Sequence, residues 1–320
     1  MAENEVLNVL MRLNSWLQKM MPIFTPLSLI IGVLLDEWMI PLLFLVPWLF
    51  ACMTFAGSLS MNLSAFKSFK RYSVIIVVTI AFLHIAMPLW AYAVAELLFN
   101  DPLYTLGFVL AVAVPTGVTS FIWAAVTRGN LALCLSIILI DTVLSPIVMP
   151  AIIHIVAGDT IHVDLQPMMI DLFLMVVLPS IIGVLVNEWT DAHVSKTLSA
   201  TLAPFSKLSL FFIVMINSSA IAPYVQHMTW ELASIIVVVF LLAISGYAIC
   251  YIVGNLLWKE HDLVTTFVFT GGMRNISAGV VLATTYFPGK VVMPVVFGML
   301  FQQILASQFH RLLMRKKGAA

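Results

Sequence analysis

The sequence predicts an all-α integral membrane protein in which ten transmembrane helices form two inverted repeats of five helices. The composition is the first reason: of 320 residues, 62% are hydrophobic and 9% are charged, whereas soluble domains carry about 25% charged residues. The mean hydropathy of +1.08 is the second reason. The third is a polar interruption in the fourth predicted span that has a counterpart in the ninth. Because each half has an odd number of spans, the second repeat is inverted relative to the first.

Ten stretches are apolar enough to cross a bilayer, which takes about 20 residues, and charged residues mark the loops between them. Seven stretches contain no charge and predict spans 1–4, 7, 8 and 10: residues 20–35, 38–66, 72–95, 102–127, 208–230, 232–258 and 291–310. The other three each hold one charged residue: Asp141 in span 5 (129–158), Asp171 in span 6 (165–187) and Arg274 in span 9 (263–289). Asp171 lies near the start of its span, where a carboxylate reaches the interface, so the other two are the deep charges.

Basic residues are concentrated on one side of the predicted membrane protein. The loops on the side of the termini and the C-terminal tail together hold these residues: Lys67, Lys70, Arg71, Arg128, Lys196, Lys207, Lys259, Arg311, Arg315, Lys316 and Lys317. The opposite loops keep Lys290. Because cytoplasmic loops carry the excess of lysine and arginine, the pattern predicts a multi-pass protein of the cell inner (plasma) membrane with both termini in the cytoplasm.

The first 19 residues predict an amphipathic helix that lies in the membrane interface. Val6, Leu10 and Leu17 fall on one helical face, and Arg12 and Lys19 fall on the opposite face. A helix with an apolar face and a basic face binds the headgroup region without crossing the bilayer.

Helix-breaking and polar residues interrupt spans 4 and 9. The interruption in span 4 is residues 115–120 (PTGVTS), and the one in span 9 is residues 270–275 (TGGMRN). Unpaired backbone groups are not tolerated in lipid, so broken helices occur where protein buries them or where they line a watery cavity. Single Pro and Gly residues also merely kink membrane helices, but two matched interruptions predict the substrate site of a transporter.

The two deep charges predict an ion pair. An unpaired guanidinium at mid-membrane costs at least ~3 kcal/mol, so Arg274 needs a partner. Asp141 shares a helical face with Ser145, which favours an inward orientation, and a carboxylate suits the guanidinium fork. The pair is either a structural clamp between the repeats or a part of the transport mechanism. His84 in span 3 could bind substrate or relay a proton, but a single membrane histidine is more often packed or hydrogen-bonded inside the protein.

The predicted pair gives Asp141 two possible functions. As a permanent counter-ion of Arg274 it stays deprotonated, and the protein is a uniporter or an exchanger. If the pair opens during transport, the anion binds Arg274 and Asp141 takes up a proton, which gives proton-coupled symport. Because separating a buried pair is costly, the sequence favours the first function.

Common motifs of enzymes and metal centres do not occur in the sequence. It contains no nucleotide-binding loop, no HExxH and no GxSxG. The three cysteines, Cys52, Cys134 and Cys250, lie in apolar runs without CxxC spacing. We therefore expect that the protein is not an enzyme, that it uses no metal or cofactor, and that its partners are a small molecule and the lipid bilayer but no nucleic acid.

Several of these motifs together resemble the bile acid:sodium symporter family, over nearly the whole chain. The resemblance rests on six elements, which are residues 115–120, Arg128-Gly129-Asn130, Ser145-Pro146, residues 272–275, Met87-Pro88 in span 3 and Met293-Pro294 in span 10. It implies that helices 4 and 9 cross where they unwind. It further implies a panel domain from helices 1, 2, 6 and 7 (20–66 and 164–226), a core domain from the rest (71–158 and 229–316), and an organic anion bound between them.

The resemblance also implies two sodium sites, whose ligands are changed in this sequence. Family members hold one ion with Ser-Asn, hydroxyls of helix 5 and a glutamate of helix 9, and here those positions are Ser120, Phe121, Cys134, Ile138 and Thr270. The second site uses that glutamate, backbone carbonyls and two glutamines, which are replaced by Arg274 and Leu83. Because sodium needs oxygen ligands and a guanidinium repels it, we expect an atypical member that is not coupled to sodium.

The sequence thus predicts a secondary active or facilitative transporter of a small organic anion that works by alternating access. The predicted substrate-binding residues are Thr119, Ser120, Arg274, Asn275 and Gln303, and the predicted coupling residues are Asp141, Arg274 and Thr270. Two alternatives stay open. One is efflux of a metalloid such as arsenite, although neither interruption contains a cysteine, and the other is a membrane receptor or scaffold that has the fold without transport.

Overall fold

The computed structural model describes residues 2–61, 69–158, 164–190, 193–225 and 229–318, and within these ranges the backbone is helical apart from short connections and one isolated β-bridge. The α-helices are α1 (Ala2–Leu34), α2 (Asp36–Met39), α3 (Val46–Ser58), α4 (Phe69–Ala81), α5 (Met87–Leu98), α6 (Pro102–Ala113), α7 (Thr119–Val126), α8 (Leu131–Ala157), α9 (Leu165–Leu172), α10 (Leu178–Trp189), α11 (His193–Ser219), α12 (Ala222–Val225), α13 (Trp230–Leu257), α14 (His261–Gly272), α15 (Ile276–Tyr286) and α16 (Gly289–Gly318). A 3-10 helix covers Ile40–Leu45, and π-helical turns cover Phe82–Ala86 and Phe173–Val177.

Seven helical segments of the described chain are long and apolar enough to cross a membrane, and an eighth is added if the two halves of the bent helix α1 count as one span. The seven are Asp36–Ser58, Arg71–Leu98, Leu131–Ala157, Leu165–Trp189, Thr197–Ser219, Trp230–Leu257 and Gly289–Arg315. Two shorter apolar helices, α6 and α15, belong to the predicted spans 4 and 9. The all-helical, multi-span class is confirmed, while the number of ten spans and the inverted repeats stay predictions.

The chain forms two compact units. Unit 1 consists of Met1–Leu63 and Asp171–Val225, and unit 2 consists of Ser64–Ile170 and Gln226–Ala320. Both polar interruptions belong to unit 2. The assignment of a panel domain and a core domain stays a prediction.

Unit 1 is built on the contact between α1 and α11, and α11 also packs against α3. Gly32 allows a close approach, because a Cβ atom added there would lie 2.0 Å from the carbonyl oxygen of Met215 on α11. Met21 and Phe211 belong to a buried apolar cluster between the same two helices. Helix α1 bends by 72° between Met21 and Ile23, close to the predicted boundary between the interfacial helix and span 1.

Unit 2 surrounds both interruptions with long helices. The first half of span 4, α6, packs against α5, α8 and α16, and the first half of span 9, α14, packs against α7, α8 and α13. Most side chains of α6 and α15 are buried. A short helix that is apolar on all sides is stable when protein encloses it, and these helices hold the interruptions inside the unit.

A π-helical turn precedes Pro88 in the segment Arg71–Leu98. Proline has no N–H group, and in a regular α-helix its ring would clash with the carbonyl of His84, four residues earlier. The π-helical turn Phe82–Ala86 widens the helix there and buries both Leu83 and His84. Turns of this kind are frequent at functional sites.

Candidate functional site

The two interruptions meet as short extended segments, one between α6 and α7 and the other between α14 and α15. Thr116 lies opposite Arg274 in an antiparallel β-bridge. The N–H of Asn275 donates to the carbonyl oxygen of Pro115 over 2.7 Å. Each interruption therefore supplies hydrogen-bond partners for backbone groups that the other interruption leaves free.

Thr116 and Gly117 permit the close approach of the two segments. The Thr116 hydroxyl lies 2.8 Å from the carbonyl oxygen of Thr270 and 3.1 Å from that of Met273, so it satisfies the C-terminal end of α14. A Cβ atom added to Gly117 would lie 3.0 Å from the carbonyl oxygen of Arg274. A larger residue at position 117 would push the two segments apart.

Arg274 is buried at the second interruption, with 5% of its surface exposed. Its Nε donates to the carbonyl oxygen of Val112 over 2.9 Å and its Nη1 to that of Gly271 over 2.7 Å. Its backbone N–H donates to Oε1 of Gln302 over 2.9 Å. Both carbonyls lie in the last turns of α6 and α14, where the helix dipole is negative. In the described part of the chain Nη2 has no hydrogen-bond acceptor, which leaves one edge of the guanidinium for a ligand.

The predicted direct contact between Asp141 and Arg274 is wrong. Asp141 is fully buried; its Oδ1 lies 2.5 Å from Nε2 of His84, and its Oδ2 accepts the N–H of Thr116 over 2.5 Å. Arg274 binds helix carbonyls instead, which have no signature in a sequence because every residue carries one. The charge of Arg274 still acts on Asp141 through space. The preference for Asp141 as a permanent counter-ion in a direct pair therefore loses its basis.

His84 reaches Asp141 from the π-helical turn. The pair is almost closed to solvent, with side-chain exposures of 4% for His84 and 0% for Asp141. The second ring nitrogen of His84, Nδ1, is buried and has no hydrogen-bond partner among the described residues. The contact agrees with the expectation that His84 is packed or hydrogen-bonded inside the protein, but the sequence did not identify Asp141 as its partner. The sequence signal that could have revealed the contact is the occurrence of two ionisable residues, His84 and Asp141, in nearby apolar spans.

Three predicted substrate-binding residues lie around α7. Thr119 and Ser120 begin this helix, and the Ser120 Oγ lies 3.9 Å from the Sγ of Cys134. Gln303 on α16 accepts a hydrogen bond from Nε1 of Trp123 on α7 over 3.1 Å. These side chains are thus close to the first interruption, but Ser120 and Gln303 already have partners within the protein.

A cleft inside unit 2 has Arg274 in its wall. The empty space of the cleft, including its mouth, is about 520 Å³. Gln302 and Tyr247 also line it, and the Tyr247 hydroxyl donates to the carbonyl oxygen of Gln302 over 3.4 Å. The rest of the lining is apolar or glycine: Met87, Phe108, Ala111, Val112, Val239, Leu242, Ala243, Gly246, Gly271, Gly272, Ile276 and Gly298. Of the five predicted substrate-binding residues, Arg274 lines this cleft, and the prediction did not include Gln302 and Tyr247.

Residues at the positions where the resembling family holds sodium are engaged in other contacts. Ile138 is fully buried and has no oxygen in its side chain. The hydroxyl of Thr270, a predicted coupling residue, donates to the carbonyl oxygen of Thr266 over 2.8 Å. The carbonyl oxygen of Gly271 accepts from Arg274. A sodium ion needs several free oxygen ligands, and the side chain of Ile138 and the engaged groups of Thr270 and Gly271 are not such ligands in the described structure.

The Arg128-Gly129-Asn130 turn fastens three helices together. The Oδ1 of Asn130 caps α8 by accepting the N–H of Leu133 over 3.0 Å. Its Nδ2 donates to the hydroxyl of Tyr72 over 3.0 Å and to Oδ2 of Asp262 over 3.3 Å. The turn therefore ties α4, α8 and α14, and its contacts within unit 2 are structural.

Comparison with known proteins identifies the family. Residues 53–315 match the family model of the SBF-like CPA transporter family. The chain is 46% identical over 296 residues to the uncharacterized protein YbaS of Bacillus subtilis (strain 168), covering 92% of this chain and 97% of YbaS. It is 25% identical over 240 residues to the uncharacterized sodium-dependent transporter YocS of the same organism, covering 75% of this chain and 74% of YocS. It is 28% identical over 232 residues to the probable sodium/metabolite cotransporter BASS1, a chloroplastic protein of Arabidopsis thaliana, covering 72% of this chain and 54% of BASS1.

The matched region contains both interruptions, the histidine–aspartate pair and the cleft. The names of YocS and BASS1 describe transporters and not enzymes. The apolar helices supply the spans that a membrane transporter needs. The chain therefore belongs to the SBF-like CPA transporter family, as its resemblance to the bile acid:sodium symporters predicts, and it is a multi-span membrane transporter rather than an enzyme.

Proposed function

We propose that this transporter carries a small organic anion by alternating access and that its transport is not coupled to sodium. The observation that carries the proposal is the environment of Arg274. Its guanidinium is buried in the wall of a cleft, is held by carbonyl oxygens rather than by a carboxylate, and leaves Nη2 free. A buried cation of this kind favours an anionic ligand, because the charge of the ligand offsets that of the guanidinium.

The lining of the cleft supports a ligand that is partly apolar. Phe108, Val239 and Leu242 contribute apolar side chains. Next to the guanidinium, Gln302 uses its Oε1 for the backbone of Arg274, which leaves its amide Nε2 as a donor. A carboxylate can accept from both groups, so a small organic carboxylate suits the cleft better than an inorganic cation does.

Independence from sodium rests on the local charge. Thr270 stands where the resembling family has a glutamate, and Arg274 adds a positive charge. At an effective dielectric constant of about 20, a second cation about 4 Å from the guanidinium would be destabilised by about 4 kcal/mol. YocS and BASS1 have sodium in their names, so the proposal sets this chain apart from these two relatives.

A stabilisation screen tests the proposed substrate class. Purified full-length protein is heated with monocarboxylates, dicarboxylates, taurocholate or arsenite, each in sodium chloride and in choline chloride. A ligand at about 100 times its Kd stabilises the folded state by about 2.7 kcal/mol. We expect at least one carboxylate to raise the Tm equally in both salts, and Arg274→Gln to abolish this shift.

Arg128→Gln is the matched control, because it makes the same change at an exposed arginine. A screen in which no carboxylate stabilises the protein, or in which stabilisation requires sodium, contradicts the proposal. Stabilisation by arsenite alone would favour metalloid efflux instead. A carboxylate that binds but shows no saturable flux in proteoliposomes would favour a receptor.

A further inference from the structure

We propose that His84 and Asp141 form a proton-binding site that is electrostatically linked to Arg274, so that a proton and an anion bind together. The part that concerns the anion rests on the function proposed above. The proton site stands on the geometry of the pair.

The atom that accepts the proton is Nδ1 of His84. When Nε2–H is donated to Oδ1 of Asp141 over 2.5 Å, the neutral imidazole keeps a lone pair on Nδ1, and this buried atom has no partner within the part of the chain that the structure describes. A proton added there gives an imidazolium without breaking the contact with Asp141. Imidazole is the side chain that most often carries protons near neutral pH, and an adjacent carboxylate stabilises its charged form.

The balance of charge explains why proton and anion bind together. Without the proton, the pair carries one negative charge from Asp141, and Arg274 carries one positive charge, so the buried centre is neutral while the cleft is empty. A monovalent anion at Arg274 makes the centre negative unless His84 takes up one proton. With one proton and one such anion the centre is neutral again. Both the empty and the loaded state thereby avoid an uncompensated buried charge, which is costly in a medium of low dielectric constant.

Thr116 connects the two sites through the backbone. Its N–H donates to Oδ2 of Asp141 over 2.5 Å, and the same residue lies opposite Arg274 in the β-bridge. When an imidazolium shares the charge of the carboxylate, the hydrogen bond to Thr116 weakens, because it is charge-assisted. The protonation of His84 therefore affects the segment that holds the anion site.

Arg274 is the charged group that acts on the pair from the interruption between α14 and α15. Among the described residues, the other ionisable groups that act on Arg274 are a thiol and a phenol on α13, Cys250 and Tyr247. On α4, α5 and α14, which pack around the pair, the described charged side chains are at the helix ends: Arg71, Glu96, His261 and Asp262. Among the described residues, Arg274 is thus the charged group outside the pair to which the proposal links it.

Nitrogen NMR of the histidines tests the site with protons as the ligand. Full-length protein with ¹⁵N-labelled histidine is titrated in lipid nanodiscs from about pH 4 to about pH 9, and the His84 signals are assigned by their loss in His84→Gln. We expect His84 to titrate within this range. The midpoint should move to lower pH in Asp141→Asn, because the carboxylate no longer stabilises the imidazolium.

Arg274→Gln is the decisive variant, because removal of the guanidinium mimics its neutralisation by an anion. The midpoint of His84 should move to higher pH by about one unit or more, which is a tenfold gain in proton affinity. Arg274→Lys keeps the charge, and Arg128→Gln removes an exposed one, so both should stay near the wild-type midpoint. A His84 signal that does not titrate, or equal midpoints in Arg274→Gln and Arg274→Lys, overturns the proposal.

The result can be separated from that of the stabilisation screen, because the titration contains no organic anion. If the His84 midpoint depends on the charge of residue 274 but no carboxylate stabilises the protein in the screen, the proposed substrate class is rejected and the proton site is supported. If a carboxylate stabilises the protein but the His84 midpoint does not depend on the charge of residue 274, the proton site is rejected and the substrate class is supported.

Discussion

Arg274 shows how a protein can hold a cation inside a membrane span without a carboxylate in contact. The insertion cost of at least ~3 kcal/mol has to be offset by hydrogen bonds. Bonds that involve a charged group contribute about 1.5 to 3 kcal/mol each, and Arg274 makes two of them, to the carbonyl oxygens of Val112 and Gly271. These two bonds suffice, and they leave Asp141 available for His84.

The substitution Arg274→Lys tests these two bonds. Lysine keeps the charge but cannot donate to both carbonyls with the geometry of the guanidinium, so the free energy of unfolding should fall by about 1 to 3 kcal/mol. Unfolding of the purified protein in detergent measures the change. The control Arg128→Lys, at an exposed position, should stay within about 0.5 kcal/mol of the wild type. Equal losses in the two variants would contradict the account of Arg274.

A double-mutant cycle tests the contact between His84 and Asp141. Removal of one partner from the buried pair should cost about 3 to 5 kcal/mol, because the other is left buried and unpaired. The double mutant His84→Ala/Asp141→Ala should show a coupling energy of about 1 to 3 kcal/mol, larger than that between Asp141 and Arg274. Unfolding experiments on the four proteins give this energy. Strict additivity of the two single changes would rule out a direct contact.

For individual side chains, the sequence predicts which residues belong to the site better than it predicts which groups they contact. Arg274 and Asp141 stand out because charges are rare in apolar spans. The pairing error arose because the actual partners of Arg274 are backbone carbonyls. The contact of His84 depends on the register of its helix, which the π-helical turn changes and which hydropathy does not report.

At the scale of elements, the two interruptions and the π-helical turn position the site. Pro and Gly residues with polar neighbours predicted the interruptions, because these residues cannot continue an apolar helix. Helix α14 ends inside the predicted run 270–275, and helix α6 ends at Ala113, two residues before the predicted run 115–120. The π-helical turn could not be predicted. Proline also occurs without one in α8, at Pro146 and Pro150.

Pro88→Ala tests the role of the π-helical turn. Without the proline, the helix can return to regular α-helical register, which rotates His84 by about 100° relative to the residues after the turn. His84 should then lose Asp141, and its NMR midpoint should approach that of Asp141→Asn. The control is Pro179→Ala, which follows the π-helical turn Phe173–Val177 in unit 1. Unchanged His84 signals in Pro88→Ala would contradict this role.

Asp101 connects the starts of α6 and α16 and gives a pH-dependent contribution to stability. Its Oδ1 accepts the N–H of Leu103 over 2.9 Å as the N-cap of α6, and its Oδ2 accepts from Nζ of Lys290 over 3.0 Å. Partial burial opposes ionisation and raises the pKa of Asp101, but the hydrogen bonds and the charge of Lys290 outweigh it, so the pKa lies below the ordinary value of 3.8. Because the pKa of Asp101 is lowered in the folded state, its contribution to the free energy of unfolding is present above about pH 4. This contribution is lost as the pH falls through the pKa that Asp101 has in the folded state.

The variant Asp101→Ala should therefore lose about 1 kcal/mol of stability at pH 7, and the loss should shrink as the pH falls below about 4. Unfolding midpoints measured over this pH range provide the test. Asp164→Ala, at an exposed position, is the control and should show little pH-dependent difference. A loss for Asp101→Ala that does not change with pH would contradict the assignment.

At the scale of the whole molecule, composition and charge gaps sufficed to predict a helical multi-span membrane protein, because the bilayer imposes strong constraints on sequence. The prediction of a transporter needed the two matched interruptions and the family resemblance as well. The substrate and the coupling ion are set by a few side chains in unit 2. Thr270 and Arg274 change the charge of the site relative to the sodium-binding pattern that the resemblance implies, and His84 with Asp141 forms the proposed proton site. We therefore propose that this transporter, whose relative YocS has sodium in its name, is a proton-linked anion carrier.

Uptake into proteoliposomes tests this central claim most directly. The carboxylate that stabilises the protein best is supplied with sodium, potassium or choline as the external cation, with and without an inside-alkaline pH gradient. We predict equal initial rates in the three cations and accumulation driven by the pH gradient. Arg274→Gln should abolish uptake, and Asp141→Asn should lose the accumulation while counterflow exchange persists. A steep dependence of uptake on sodium, with a Hill coefficient of about two, would contradict the claim.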